Sequence, residues 1–408
     1  MADHGVTIKR LRKVTARPVD ANRQAFLSFV FVLPTVAYAL GFSALRPLGE
    51  IVLLSVVALG AIAAIVRGHL SIPTPLALYA IFSFFILNLS LARLMPQSWT
   101  LEYSAVAAVR QWAWVPILII MTNSLQIFLE RALPWIQKSP VFSLIVVYAL
   151  TRVSLAVAEG DIWSYKVLPI YVLHNENAIV CITFFMTLFR TTNVASLIAI
   201  SSIGLLAVNS SQSIIVIVSS VIVRFCRFSG GRGWRLCLVF SVVVLSFISV
   251  FMLRELSSID HNSALRALFW RDVLFAVVDS WGAGVGYGTE SMRNILFEIR
   301  DDQWVLRQRN AEDFIHIATH STIFDVLLRT GIVGLCIVFI WIVKVLVLPV
   351  VDQSKKGLFF ILVLSFSIIN TVNSGVVSMH FIIGSAALLA LMKSLVSDHR
   401  VRDGQARP

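Results

Sequence analysis

Long apolar runs separated by short polar connections recur along nearly the whole chain. A helix crossing roughly 30 Å of hydrocarbon needs about 20 mainly apolar residues. Runs close to that length occupy 24–42, 48–66, 73–92, 104–125, 139–157, 167–189, 192–208, 211–223, 234–253, 331–350, 357–372 and 380–395. The pattern predicts an all-α, polytopic integral membrane protein with about 12 transmembrane helices. The seventh and eighth runs are short, so they tilt, break or form one re-entrant pair, and none of these changes the parity of the later helices. The remaining chain divides into a basic arm over 1–23, helices one to nine within 24–253, a large polar loop over 254–329, helices ten to twelve within 330–395, and a tail over 396–408.

Composition removes the soluble alternative. Of the 408 residues 58% are hydrophobic and 14% charged, with a mean hydropathy of +0.84, against about 25% charged for a soluble domain. The net charge of +12 raises the question of nucleic acid, and its location answers it. Lys9, Arg10, Arg12, Lys13 and Arg17 precede the first apolar run, and Arg224, Arg227, Arg232 and Arg235 flank two others. These are short basic flanks without interleaved stacking aromatics, so nucleic acid is not the expected partner and membrane lipid is.

With the arm in the cytoplasm, the even-numbered connections hold Arg67, Arg131, Lys138, Arg190, Arg224, Arg227, Arg232, Lys355 and Lys356, and the short odd ones only Arg46, Arg93 and Lys166. That asymmetry predicts both termini in the cytoplasm and the 254–329 loop outside. The first apolar run follows a long basic lead without a small-residue cleavage site, so it is expected to be a retained anchor. The four cysteines sit in or beside apolar runs, as small apolar fillers do.

The loop carries 11 of the 22 acidic residues and eight arginines but no lysine. Arginines can pair with those carboxylates on a solvated lid, or they can grip phosphate with the guanidinium fork; both readings stay open. Residues 263–278 are expected to form an amphipathic helix at the outer interface, with Arg266 and Trp270 on one face. Gly282, Gly284, Gly286 and Gly288 then make a turn that lets backbone approach closely. From Thr322 a helix is expected to run straight into the tenth span, leaving His320 at its outer end.

Several ionisable groups fall inside the apolar runs. Arg110, Arg152, His174 and Glu176 lie in the outer halves of their spans and His380 opens the twelfth, whereas Lys344 lies in the inner half and snorkels inward. Buried charge of this kind marks a wet cleft or a functional partner, here on the outer face. His316 and His320 are spaced i and i+4, without a HExxH sequence or an acidic cage, so neither a metal nor another cofactor is expected. A Walker sequence is also missing, which argues against an ATP-driven pump.

Arg266-x3-Trp270, the alternating glycines 282–288, and His320-Ser321-x8-Thr330-Gly331-Ile332-x-Gly334 together resemble the loop signature of the O-antigen ligase and polymerase family of bacterial envelope glycosyltransferases. The motif likeness covers about 70 residues, and the helix pattern resembles the ligases over the whole chain. The resemblance implies metal-independent transfer of a glycan from an undecaprenyl-pyrophosphate carrier to an acceptor hydroxyl, at the periplasmic face of the bacterial inner membrane. The acceptor is either another carrier-linked glycan, for a polymerase, or lipid A-core, for a ligase. It also implies catalytic roles for His320 and Arg266. Ser321 stands where asparagine is common, Arg329 where an acidic residue is frequent, and Ser211-Gln212 where many members have Ser-Arg. If Gln212 has replaced a pyrophosphate contact, either Arg110, Arg152 or Arg271 supplies it or the substrate class differs.

A glycosyl pyrophosphate already has a good leaving group, so the protein must chiefly stabilise departing charge and take up the acceptor proton. Imidazole, with an ordinary pKa of about 6.5, suits the second task. His320 is therefore the expected base, with Glu176 a second candidate, and Arg266, Arg271 and Arg152 the expected pyrophosphate ligands. Arg110, Gln212 and Arg329 complete the substrate-binding candidates. The competing function is a transporter of lipid-linked oligosaccharide, which would show internal repeats and helices broken near mid-membrane.

Overall fold

The structure, a computed structural model, describes residues 72–95, 103–123, 125–126, 178–206, 211–228, 230–252, 261–288, 319–372 and 379–396. The first, second and fifth expected spans lie outside the described residues, as does the 289–318 part of the large loop. Every regular element among the described residues is helical. In chain order these are α1 (Thr74–Leu91), α2 (Ala105–Trp112), α3 (Ala178–Arg190), α4 (Val194–Leu206), α5 (Ser211–Phe225), α6 (Arg232–Ser249), α7 (His261–Asp279), α8 (Thr322–Ile342), α9 (Lys356–Val372) and α10 (Met379–Val396). One π turn, Val343–Val347, prolongs α8, and a short 3-10 turn, Gln353–Lys355, leads into α9.

Among the described residues, five helical stretches are long and apolar enough to cross a membrane: Thr74–Leu91, Ala105–Asn123, Arg232–Ser249, Thr322–Val347 and Gln353–Thr371. Their outward faces show why. Ile81, Phe84, Phe85, Val106, Phe240 and Leu245 are large, apolar and exposed, a surface that needs hydrocarbon and not water as its neighbour. Inside, the buried hydroxyls of Ser90, Thr191, Ser220, Thr330 and Ser365 each donate to the carbonyl four residues earlier. That bond satisfies the hydroxyl within its own chain segment, which a water-free interior requires.

Helix α8 is central: it packs against α1 on one side, α7 near its start and α9 further along. Helix α9 in turn gathers α5, α6 and α10. Trp341 of α8 meets Phe366 of α9 edge-on, and Ala386, Ala387 and Ala390 let α10 approach closely.

One end of this bundle collects its positive charge. Arg224 donates through Nε to the Leu188 carbonyl at 3.1 Å and through Nη2 to that of Thr191 at 2.6 Å. Arg235, 4% exposed, donates through Nη1 to the Leu346 carbonyl at 3.2 Å and through Nη2 to that of Pro349 at 3.0 Å, with its guanidinium over the Phe359 ring. Both therefore neutralise the carbonyl-rich C-terminal ends of other helices, where a cation also meets the favourable pole of the helix dipole. The sequence pattern makes them loop flanks; the structure uses them as inward caps.

Among the described residues, three helices end in the same hydrogen-bonded hook, in which the last residue but one adopts a left-handed conformation. Arg93 (φ 57) after α1, Arg227 (φ 51) after α5 and Trp281 (φ 55) after α7 occupy that position, with the paired bonds Leu94 N–H to Leu89 C=O, Phe228 N–H to Val223 C=O and Gly282 N–H to Val277 C=O. Glycine fits there without strain, yet all three positions carry large exposed side chains, Trp281 at 98% exposure.

Candidate functional site

At the end opposite Arg224 and Arg235, helix α7, the glycine turn and the start of α8 assemble around His320. The local order begins with Ser321, whose hydroxyl accepts from the Phe324 amide at 3.4 Å and so caps α8. Immediately before it, His320 is held at φ 55, a conformation that costs a non-glycine residue about 1–2 kcal/mol. Such strain persists only where the surroundings fix it.

The surroundings do so from three directions. Thr319, fully buried, donates its hydroxyl to Asp325 Oδ1 at 2.8 Å, and its amide donates to the same oxygen at 3.3 Å. The Thr319 carbonyl accepts from Trp270 Nε1 at 2.9 Å. The Trp270 ring lies flat on Phe324, at 4.9 Å between centroids and 4° between planes, and Phe269 stacks beside His320 at 6.3 Å. The arginine-tryptophan helix and the histidine junction, separated by about 50 residues in sequence, are thus in direct contact.

Arg266 lies one turn before Trp270 on α7 and is half-buried. Arg271 is also half-buried and its Nε lies 3.3 Å from Oδ1 of the buried Asp272. Both arginines therefore belong to the helix that clasps the histidine junction.

The glycine turn has a different partner. Helix α8 is broken at Gly331 (φ 65, ψ −165), so the Ile332 amide no longer reaches the Leu328 carbonyl. Instead it donates to the Gly282 carbonyl at 2.9 Å, and the Leu328 carbonyl accepts from the Val285 amide at 2.8 Å. The turn has inserted its backbone into the helix and satisfied both halves of the lost bond. Gly284 makes the approach feasible: a Cβ there would lie 2.6 Å from the Leu328 oxygen and 2.7 Å from the Gly331 nitrogen. The expectation of an unbroken helix from Thr322 is corrected on this point.

The far side of the turn rests on α1 and α2. The Tyr287 amide donates to Ser90 Oγ at 2.9 Å, the Gly288 amide to Gln111 Oε1 at 2.8 Å, and the Ser104 amide to the Gly288 carbonyl at 3.0 Å. Tyr287 is buried, which with neighbouring Tyr79 pushes its hydroxyl well above the ordinary phenol value and keeps it neutral.

The sequence-derived candidates therefore occupy distinct places. His320 sits at the α7–α8 junction, and Arg266 and Arg271 lie on α7, the helix that meets it there. Arg110 is exposed on α2, next to Gln111, which grips the turn. Arg329 is 5% exposed and donates through Nη1 to the Gly286 carbonyl at 3.3 Å, bracing the turn from within the bundle. Gln212 stands in the first turn of α5, whose opposite end carries Arg224, so α5 and α8 begin toward the same end of the bundle. Arg152 and Glu176 lie outside the described residues, as do His174 and His316. Among the described residues no group of three or more His, Cys, Asp or Glu side chains gathers as a metal site would require.

Two residues of the junction carry no sequence-level assignment: Thr319 and Asp325. Asp325 was legible as an ionisable group at the start of a long apolar run, the same signal that marks Arg110 and Arg152. No protein-family model matches the chain, and no curated protein matches it in sequence.

Proposed function

We propose that the protein is a polytopic membrane glycosyltransferase that moves a glycan from an undecaprenyl-pyrophosphate carrier to an acceptor hydroxyl. In this reading it has about 12 spans, the basic end of the bundle faces the cytoplasm, and the His320 end faces the periplasm of a bacterial inner membrane. The observation that carries it is the Trp270 Nε1 to Thr319 carbonyl bond, which sets His320 against the helix bearing Arg266 and Arg271. That juxtaposition supports the reading because it puts a proton acceptor beside the helix that carries both arginines.

The chemistry follows from that juxtaposition. The acceptor hydroxyl gives its proton to the His320 imidazole as its oxygen bonds to the anomeric carbon of the donor sugar. The bond from that carbon to the carrier pyrophosphate breaks, and its electron pair leaves on the pyrophosphate. Arg266 and Arg271, with Arg152 or Arg110, stabilise the charge that develops there. The substitution of glutamine at position 212 tilts the choice of acceptor toward a second carrier-linked glycan, and so toward a polymerase over a ligase.

One observation favours the competing transporter reading: the break in α8 at Gly331, since transporters build their sites at discontinuous helices. Here, however, the freed Ile332 amide and Leu328 carbonyl are both occupied by the glycine turn. The test is purified protein in bilayer nanodiscs supplied with carrier-linked repeat units alone, then with lipid A-core added. A ladder without the second acceptor identifies a polymerase, and product only with it a ligase. Absence of any new glycosidic linkage in both, or undiminished product from a correctly inserted His320→Ala protein, refutes the assignment.

A further inference from the structure

We infer that Asp325 and Thr319 are positioning residues that aim His320, an inference that rests on the transfer reading above. A carboxylate with 1% exposure at the start of an apolar helix is a poor choice for stability alone, because a well-packed aliphatic side chain avoids the desolvation cost. Asp325 is nevertheless accommodated. It lies in the first turn of α8, where the helix dipole favours negative charge, and Oδ1 accepts from both the Thr319 hydroxyl and the Thr319 amide.

Those bonds do not merely fill space. The Thr319 hydroxyl, with one proton to give, lies 2.8 Å from Asp325 Oδ1 and 2.9 Å from the Ser321 carbonyl, and it accepts from the Ser321 amide at 3.2 Å. One hydroxyl therefore ties the residue before His320 to the residue after it and to the helix. With the Thr319 carbonyl taken by Trp270, both peptide neighbours of His320 are locked while His320 itself stands in the left-handed region. Rotation of its backbone would change the direction of its Cα–Cβ bond, so the clasp fixes where the imidazole points. Preorganisation of this kind acts on turnover more than on donor binding.

Thr319→Val keeps the shape and removes the hydroxyl; Thr319→Ser restores it. In nanodiscs we expect Thr319→Val to lower kcat for glycan transfer at least tenfold with KM for the carrier-linked donor within about twofold, and Thr319→Ser to return kcat to within about threefold of wild type. Asp325→Asn, which keeps an acceptor oxygen, should lie between the two. A second readout needs no transfer: the rate at which diethyl pyrocarbonate modifies His320, followed by peptide mass spectrometry. It should change at least threefold in Thr319→Val and revert in Thr319→Ser. Wild-type kcat and modification rate in a folded Thr319→Val protein overturn the inference, as does failure of Thr319→Ser to rescue either. A modification rate that tracks the hydroxyl in a protein that transfers no glycan supports the positioning role and overturns the glycosyltransferase reading instead.

Discussion

The amide of Ile332 donates to the carbonyl of Gly282 at 2.9 Å, across some 50 residues of chain, in place of the Leu328 carbonyl that a continuous helix would offer. This exchange joins the two most glycine-rich elements of the motif into one unit. It makes the close approach at Gly284 the point where the unit is most easily broken.

Gly284→Ala should therefore be destabilising by about 2–4 kcal/mol, since its Cβ would strike two backbone atoms and the position has φ +78. Gly233→Ala, in the first turn of α6 with nothing within 4 Å, should be neutral or stabilising by up to about 1 kcal/mol. Denaturant unfolding in detergent, followed by helical circular dichroism, measures both. Equal stability of the two variants would show that the turn is not seated in the α8 break.

Trp270→Phe keeps the stack on Phe324 and deletes the N–H, leaving the Thr319 carbonyl buried without that donor. A loss of about 1–3 kcal/mol is expected, with a fall in the rate of the proposed glycan transfer larger than stability alone explains. Unfolding midpoints alongside turnover in nanodiscs provide the comparison.

At the opposite end, Arg235→Met removes both hydrogen bonds to the Leu346 and Pro349 carbonyls. The expected cost is about 2–3 kcal/mol, and Arg235→Lys should recover less than half, because a single ammonium lacks the fork that reaches two carbonyls. The same unfolding assay reads the outcome. Transfer measured on the folded fraction should stay near wild type, since these contacts lie far from His320.

Substitutions at position 320 should separate strain from chemistry. His320→Gly relieves the left-handed backbone and is expected to match or exceed wild-type stability by up to about 1 kcal/mol, while the glycan transfer proposed above is lost. His320→Val places a β-branched residue at φ 55 and should fall below His320→Gly by about 1–2 kcal/mol. A catalytic role and a structural role thus give opposite orderings of stability and activity.

Much of this arrangement is legible in sequence. The apolar runs at 73–92, 234–253 and 357–372 match α1, α6 and α9 within a few residues, because a span is set by length and hydropathy alone. The helix expected at 263–278 is found at His261–Asp279, and the glycines end it as expected. What periodicity does not carry is contact between distant segments. A single glycine at 331 leaves the apolar pattern of α8 intact, so the break is visible only once the turn occupies it. Arg235 has the same sequence signature as any basic flank, and its inward course depends on carbonyls more than 100 residues away. Asp325 stands out in sequence only as an acid at the start of an apolar run, and its tie to the residue before His320 is visible only once the Thr319 hydroxyl is found against it.

Arg93, Trp281 and Arg227, at the hooks that end α1, α7 and α5, are the side-chain types that settle at the boundary between headgroups and hydrocarbon. The first two flank the glycine turn's end of the bundle and the third lies at the other, so in a bilayer they are expected to moor the protein at both faces. Mooring of that kind resists piston-like sliding of single helices along the membrane normal. In a thicker or thinner bilayer the lipid, and not the His320 junction, is then expected to yield, which keeps that junction at one depth whatever the acyl-chain length.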